Sequence, residues 1–493
     1  MSSETSQDRY HVHTGDCLEV LKTLSDDSVD SMVTDPPAGI SFMGKKWDSD
    51  KGGPAKWRAW LSEVMKEALR VLKPGAHGLV WSIPRTSHWT GMALENAGFE
   101  IRDVITHHFG SGFPKNHDVS KAIDKAAGVE REIVGRKITG RALGGSNWKD
   151  GDASGQEEVD ITAPAPAAAK QWEGWGTALK PSSESWWLVR KPLEKNHSIA
   201  RNVMKWGTGA LNVDGCRIGD EEITTHNTTF LKALGVKRPW HDNHDNFDTK
   251  HKGRWPPNTL FTHDARCSAV CVEGCPVGEL DDQSGISKSS SSPRLNANTG
   301  WCVSSEGGKA IASPHNDQGG ASRFFPCFRY QAKPSSTEKD AGLDELPLKA
   351  SQKLNPGGLQ NERDAKASAA IESQGLDARG RTLIRDDGSK TLVDRFIPGH
   401  RANNHPTVKP IALMAWLCRL ITPTNGIVLD PFTGSGTTGC GAMIEGFRFC
   451  GIEMNPEFVE IAKLRMDYWQ HHDLDEEPKK KAPEDIAGQI RMF

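Results

Sequence analysis

Two short stretches at opposite ends of this 493-residue chain alternate strand and helix, and neither is long enough to close a sheet by itself. That division limits the fold more than any other feature. In the first stretch, VDSMVTD at 29–35 reads as a short apolar strand. Residues 57–72 carry Trp60, Leu61, Val64, Met65, Ala68 and Leu72 at helical spacing. KPGA at 73–76 predicts a stop, GLVWSI at 78–83 a strand, 87–97 a helix ended by Gly98, and 100–107 a further strand. In the last stretch, 412–421 predicts a helix, GIVLD at 426–430 a strand, 437–445 a helix, FRFCGIE at 447–453 a strand and 456–470 a helix. One doubly wound, Rossmann-like α/β sheet assembled from both ends is the simplest arrangement. The expected organisation is 1–128 as one half, 401–475 as the other, 129–400 as a large insertion and 476–493 as a charged tail. Within the insertion, 182–193, which contains SWWLVR, is expected to return a strand to the first half. TAPAPAAAKQW at 162–172 is linker-like, and 276–325 and 350–380 are loop-heavy.

Composition narrows the setting. Lys and Arg total 61 against 64 Asp and Glu, a net charge of −3. Overall charge is therefore no argument for nucleic acid, although a local basic patch can serve one. Ten thinly spread cysteines do not resemble a disulfide scaffold and suit a reduced, cytoplasmic setting. The N-terminus has no apolar signal region, and no apolar run reaches the roughly 18 residues of a membrane span, so no membrane partner is expected.

DPFTGSGTT follows the strand at 426–430 as a glycine-rich turn before a helix. Gly434 and Gly436 allow backbone to pass close to a ligand lying beyond the strand's carboxyl end. Asp430 can face a cationic amino group there, and Glu453, ending the next strand, suits two ribose hydroxyls. The turn has neither the GxGxxG order nor the Gly-Lys-Ser/Thr of a phosphate loop, which points to a nucleoside without a phosphate clamp.

Asp35-Pro36-Pro37 ends the strand at 29–35. The prolines cannot extend the strand, and they leave carbonyls exposed. Asp35 can accept one hydrogen of an aromatic amine and the Pro36 carbonyl the other, turning the nitrogen lone pair toward an electrophile. No cysteine stands where a covalent nucleophile is needed.

Together these motifs make the chain resemble the amino-methylating DNA methyltransferases, the adenine-N6 and cytosine-N4 enzymes. Their order is similar to the circularly permuted beta class, with the catalytic motif first, the target-recognition region next and the cofactor turn last. Asp35-Pro36-Pro37 matches the catalytic motif. Asp430-Pro431-Phe432 through Gly434-Ser435-Gly436-Thr437 matches the cofactor motif. His405-Pro406-Thr407 with Lys409-Pro410 matches the segment around the methionine end of the cofactor. Glu453 and the nearby Asn455 match the ribose-binding end, and Thr14-Gly15-Asp16-Cys17 the segment at the cofactor adenine, with Asp16 the implied contact to its amino group. GSGFPKN at 110–116, SWWLVRKP at 185–192 and GRWPPN at 253–258 are similar to phage-type members.

The resemblance implies S-adenosylmethionine as cofactor, double-stranded DNA as partner, a restriction-modification or phage setting, and methyl transfer to a flipped base. A homodimer is an assembly the sequence leaves open. The Asp before the two prolines leans toward adenine-N6, with cytosine-N4 as the alternative.

The family usually places an aromatic residue directly after DPP, where the flipped base stacks. Here that residue is Ala38, so Phe42 or Trp47 in the loop that follows is expected to supply the ring. In the insertion, Lys252, Arg254, Trp255 and Arg323 are candidate DNA contacts. His263 precedes Cys267, Cys271 and Cys275, a spacing unlike paired zinc knuckles. Scattered thiols are favoured there, no metal is assigned, and zinc is the alternative.

Overall fold

A computed structural model describes residues 9–110, 112, 116–139, 157–225, 249–264, 267, 270–288, 317–328, 336–343, 346, 349–350, 383–384, 390–391, 400–405, 407–472 and 474. The chain divides into two compact units. The first comprises 1–110, 183–347 and 405–493, and the second 111–182 and 348–404.

The first unit is built on one nine-stranded sheet. Its strands, in chain order, are β1 (Tyr10–Thr14), β2 (Val29–Thr34), β3 (Leu72–Ser82), β4 (Glu100–His108), β5 (Ser183–Arg190), β6 (Thr259–Thr262), β7 (Cys327–Phe328), β8 (Ile427–Asp430) and β9 (Arg448–Glu453). They lie in the order β1-β9-β8-β2-β3-β5-β4-β6-β7. Every pairing is parallel except those of β5, which runs antiparallel between β3 and β4. The helices used below are α1 (Cys17–Thr23), α2 (Pro54–Val71), α3 (Ser87–Ala97), α4 (Ile199–Trp206), α5 (Pro276–Ser284), α6 (Ile411–Ile421), α7 (Thr437–Ile444) and α8 (Pro456–Trp469).

A mostly parallel sheet buries both faces, so its strands alternate between two cores rather than between core and water. Val33 of β2, Leu79 of β3 and Val428 of β8 pack into one core with α6 and α8. Their neighbours Met32, Val80 and Leu429 pack into the other, with Leu61, Val64, Met65 and Ala68 of α2 and Leu94 of α3. The centre is the β2–β8 pair, where Ser31 faces Val428 and Met32 faces Leu429. Here the two chain ends meet. The Asp30 carboxylate accepts the Ile427 amide at 2.8 Å and Lys73 Nζ at 2.6 Å. The Ser31 and Thr422 hydroxyls share a hydrogen bond of 2.8 Å.

Some elements differ from their sequence readings. α2 ends at Val71, just before KPGA, as expected of a stop, but the next strand begins at Leu72 rather than at 78, so KPGA is already part of β3, with an irregularity opposite Val29–Ser31. Gly75 takes a left-handed φ of 79°, and Pro74 turns its carbonyl to Asn202 Nδ2 and Thr208 Oγ1, so the break is a bulge. The sheet also takes β6 and β7 from the stretch 129–400 given to the insertion, strands of four and two residues too short to show alternation. α5 lies in the stretch read as loop-heavy.

In the second unit, helix Val119–Ala126 is capped by Asp118, and strands Glu132–Thr139 and Glu157–Ala163 pair antiparallel. Arg131 joins the Asp124 carboxylate to Thr162. The alanine run in the linker-like segment forms a short helix, Ala167–Gln171, with Ala169 buried, as alanine's helix preference favours. Residues 351–380 of the other loop-heavy stretch and the tail 476–493 lie outside the described residues.

Asp30 anchors the central seam from a buried position. Asp30→Ala leaves the Ile427 amide without its acceptor and is expected to lower unfolding free energy by about 1–3 kcal/mol, read from urea denaturation at neutral pH.

Candidate active site at the carboxyl edge of the sheet

The ends of β2 and β8 are neighbours, so the residues that terminate them share one place. Thr34, the last residue of β2, donates its hydroxyl to Asp430 Oδ1 at 2.6 Å. The Phe432 amide donates to the same oxygen at 3.0 Å. Burial pushes the Asp430 carboxyl up to about 6, against the opposing pull of the Thr34 and Thr438 hydroxyls.

After Asp430 the glycine turn is held from three sides. Gly434 and Gly436 adopt φ of 53° and 79°. A Cβ at Gly436 falls 2.7 Å from that of Ala462, and one at Gly434 falls 2.9 Å from His405 Nε2, so both positions need glycine. Arg465, fully buried on α8, donates to the Ser435 carbonyl at 2.6 Å and Thr437 Oγ1 at 3.2 Å. Glu453, at the end of β9, accepts the Gly434 amide at 2.9 Å and the Asn455 amide at 2.8 Å. Burial nevertheless raises its carboxyl above the ordinary value. Asn455 caps α8 through the Glu457 amide. The Phe432 ring lies 5.9 Å from Trp60.

β1 brings its own end to this edge. Thr14 is in register with Glu453, and the Gly15 amide donates to the Glu453 carbonyl at 3.0 Å. Asp16 then caps α1, accepting the Leu18 and Glu19 amides. Burial pushes the adjacent Cys17 thiol up to about 12, which leaves it un-ionised. Asp16, Cys17, Asp430 through Gly436, Glu453 and Asn455 thus lie together at the ends of β1, β9 and β8.

Asp35 follows β2 directly. Lys409 Nζ lies 3.0 Å from its Oδ2 and 3.6 Å above the centre of the Trp81 ring. Trp81 Nε1 in turn donates to Glu184 Oε2 at 2.9 Å. Burial raises the Asp35 carboxyl, and Lys409 pulls it back toward ionisation. Lys409, expected at the cofactor, therefore touches the catalytic candidate itself. His405 is neutral, pushed down to about 3 by burial and nearby cations. Pro406 lies outside the described residues.

Trp81, Glu184 and Arg465 were not singled out in the sequence. Trp81 had a signal, since it stands at the carboxyl end of a parallel strand. Glu184 had none, because only the reversed direction of β5 brings its amino end to the same edge. Asp48 also escaped notice. It is buried, and its carboxylate accepts the Gly39 amide at 2.8 Å and the Phe42 amide at 2.7 Å, closing the loop after DPP. Thr86 Oγ1 fixes the Ala38 carbonyl at 3.0 Å. Phe42 and Trp47 sit in two short 3₁₀ turns of that loop, Phe42 half-buried and Trp47 37% exposed. The fully buried indole beneath Gly39 is Trp57.

The candidate DNA contacts fall into two kinds. Arg254 and Arg323 both pair with Asp317 and flank the Phe324 ring. Lys252 is exposed, as is Trp255 at 68%, with Arg217 over its ring. Nearby, His263, Cys267, Cys271 and Cys275 bring their ligand atoms within 4.8 Å of one another.

The mostly parallel sheet thus brings an acid-lined glycine turn beside a DPP strand end at one edge. Residues 29–126 and 359–464 match the DNA methylase family of N6 and N4 enzymes, in agreement with the resemblance read from the motifs. Among curated relatives, 78 residues are 42% identical to the DNA adenine methyltransferase YhdJ of Escherichia coli, covering 16% of this chain and 26% of that protein. An alignment of 103 residues gives 30% identity to the type II methyltransferase M.BamHI of Bacillus amyloliquefaciens, covering 21% of this chain and 24% of that protein. The chain spans about a quarter of the length of these relatives. The PvuII DNA methyltransferase (cytosine-N4-specific) aligns in structure over 98% of this chain and 92% of its own, with a TM-score of 0.37 and 12% identity.

The raised Asp430 carboxyl has a definite signature in folding. The native state holds this proton up to about pH 6, whereas an unfolded aspartate releases it near 3.8, so stability falls as pH rises through that window. Asp430→Asn removes this contribution. Denaturation midpoints of the variant, compared with the wild type between those pH values, are expected to show a shallower decline.

Proposed function

We propose that this protein transfers a methyl group from S-adenosylmethionine to the exocyclic amine of a flipped base in double-stranded DNA, most directly adenine N6. The observation that carries the reading is the placement of Asp35 and Asp430 at adjoining strand ends, joined through Thr34. Such a switch point is where an open α/β sheet binds its ligands.

The residues present fit the cofactor. Asp16, Glu453 and the glycine turn offer carboxylates and close backbone around one strand edge, with no basic phosphate clamp in the turn. Glu453 would hold the ribose hydroxyls, Asp16 the adenine amino group, and Asp430 with the turn and the His405–Lys409 segment the methionine end. When bound, S-adenosylmethionine supplies an electrophilic methyl group on a sulfonium sulfur.

The chain's part in the reaction is positional and electrostatic. Asp35 and the Pro36 carbonyl accept the two amine hydrogens, which localises a lone pair otherwise shared with the ring. Pro37 keeps the backbone from continuing the strand. Asp35 then offsets the positive charge that grows on the nitrogen and is placed to accept the proton it sheds. Lys409 lies against the Asp35 carboxyl and opposes the upward push of burial, which favours the ionised acceptor that the amine needs. Phe42 or Trp47 supplies the stacking face that Ala38 lacks, and Lys252, Arg254, Trp255 and Arg323 provide the DNA contacts. The DPP aspartate and the similarity to an adenine methyltransferase support adenine N6 ahead of cytosine N4.

Three measurements test this. Modification mapping of DNA from cells expressing the chain is expected to show N6-methyladenine at a fixed sequence. N4-methylcytosine would favour the second reading, and unmodified DNA would refute both. Asp35→Ala is expected to retain cofactor binding while methyl transfer falls at least ~100-fold, whereas Glu453→Ala weakens equilibrium cofactor binding at least ~10-fold. With a fluorescent base analogue at the target position, either Phe42→Ala or Trp47→Ala should relieve the stacking quench and slow transfer, since stacking returns roughly 1–3 kcal/mol per base. An unchanged signal in both variants places the ring elsewhere.

A further inference from the structure

We infer that His263, Cys267, Cys271 and Cys275 form a closed, tetrahedral zinc site that staples the far edge of the nine-stranded sheet. The residues recur every fourth position, but they do not lie on one helix. His263 follows the end of β6, Cys267 and Cys271 belong to the loop, and Cys275 is the residue preceding α5. The chain therefore wraps three thiols and an imidazole around one point.

The spacing within the cluster suits zinc. His263 Nδ1 lies 3.3 Å from Cys271 Sγ and 3.7 Å from Cys275 Sγ, and all four ligand atoms fall within 4.8 Å. A tetrahedral zinc with sulfur at about 2.3 Å and nitrogen at about 2.0 Å separates its ligands by about 3.5–3.8 Å. The cluster therefore needs adjustments of an ångström at most. A disulfide accounts for it poorly, because it uses two thiols and leaves a third beside the imidazole. The sulfurs are also met by amide donors. Val272 N–H donates to Cys267 Sγ and Asp264 N–H to Cys275 Sγ, each at 3.4 Å. Amides aimed at sulfur are what a thiolate needs to hold its charge, and they orient it toward a metal. Three soft sulfurs and one imidazole favour zinc over hard cations, and four protein ligands leave no open position, so the role is structural.

The site has something to hold. β6 has four residues and β7 two, little pairing with which to define an edge. The zinc loop joins the end of β6 to the start of α5. On α5, Asp281 accepts the Ser322 amide and hydroxyl, each at 2.7 Å, fixing the 3₁₀ turn Ala321–Phe324 that carries Arg323. One metal thereby connects the sheet edge, the helix and the arginine-bearing turn.

Metal analysis of the full-length protein, purified without added metal or tag-derived histidines, tests the inference directly. One zinc per chain is expected. Cys271→Ser and Cys275→Ser should lose it, while Cys450→Ser, outside the cluster, should retain it. Cobalt exchanged into the wild type should show the sulfur-to-metal charge transfer and intense visible bands of a tetrahedral site. Chelation of the wild type should raise amide exchange across 259–288 and 318–328 and leave β1, β8 and β9 protected. A folded wild type with less than about 0.1 zinc per chain, full zinc retention by both cluster variants, iron in place of zinc, or a disulfide found by thiol counting overturns the assignment. None of these readings uses DNA or cofactor, so they stand apart from the test of methyl transfer.

Discussion

A single hydrogen bond from the Thr34 hydroxyl to the Asp430 carboxylate sits where everything else in the first unit converges. It joins residues 396 positions apart and lies at the carboxyl ends of the two central strands. On one side of it the chain supplies DPP, and on the other the glycine turn. The Asp30 carboxylate and the Ser31–Thr422 hydroxyl pair tie the same two segments deeper in the sheet. Buried polar groups of this kind stabilise only when fully partnered, so the seam fixes relative register as well as adhesion. The placement of Asp35 against the cofactor turn is set by that register, since both follow from where β2 and β8 end.

The site's electrostatics divide along the same seam. Asp35 is matched with Lys409, whose ammonium is also sandwiched onto Trp81, and Trp81 is anchored in turn by Glu184. Asp430 has hydroxyl and amide donors but no cation within hydrogen-bonding reach among the described residues, and burial leaves it more easily protonated. Two carboxyl groups on adjoining strands thus occupy different environments. Burial raises both, but one has an ammonium beside it to oppose that rise, and the other has only neutral donors.

Much of this was legible in the chain. The central strands announce themselves through apolar runs, and the turns through DPP and DPFTGSGTT, because backbone geometry and ligand approach restrict residue type there. What the sequence hid was hidden for physical reasons. The early start of β3 was hidden because Pro74 and Gly75, which follow the end of α2, also form the bulge. β6 and β7 are too short for periodicity to register. Glu184 and Asp48 are acids whose roles depend on strand direction and loop closure, which no local pattern encodes. The cysteine cluster was legible as a spacing but not as a polyhedron, because four residues in a loop can face one another or scatter. Arg254 and Arg323 were candidate DNA contacts by residue type alone, and their shared pairing with Asp317 had no local signal.

The strand order has a consequence for how the chain is made. β2 has its partner β3 within fifty residues, but its other neighbour, β8, is nearly four hundred residues further along. During synthesis the first half therefore emerges with an unpaired apolar edge, and the second unit and the zinc loop are translated before that edge can be covered. Contacts this distant in sequence close slowly, and an open strand edge is a template for the wrong partner. β5 reaches the growing sheet long before β8 and covers the other side of β3, so that side of β3 is paired early. Assembly of the candidate site, by contrast, waits for β8 and β9, in about the last seventh of the chain.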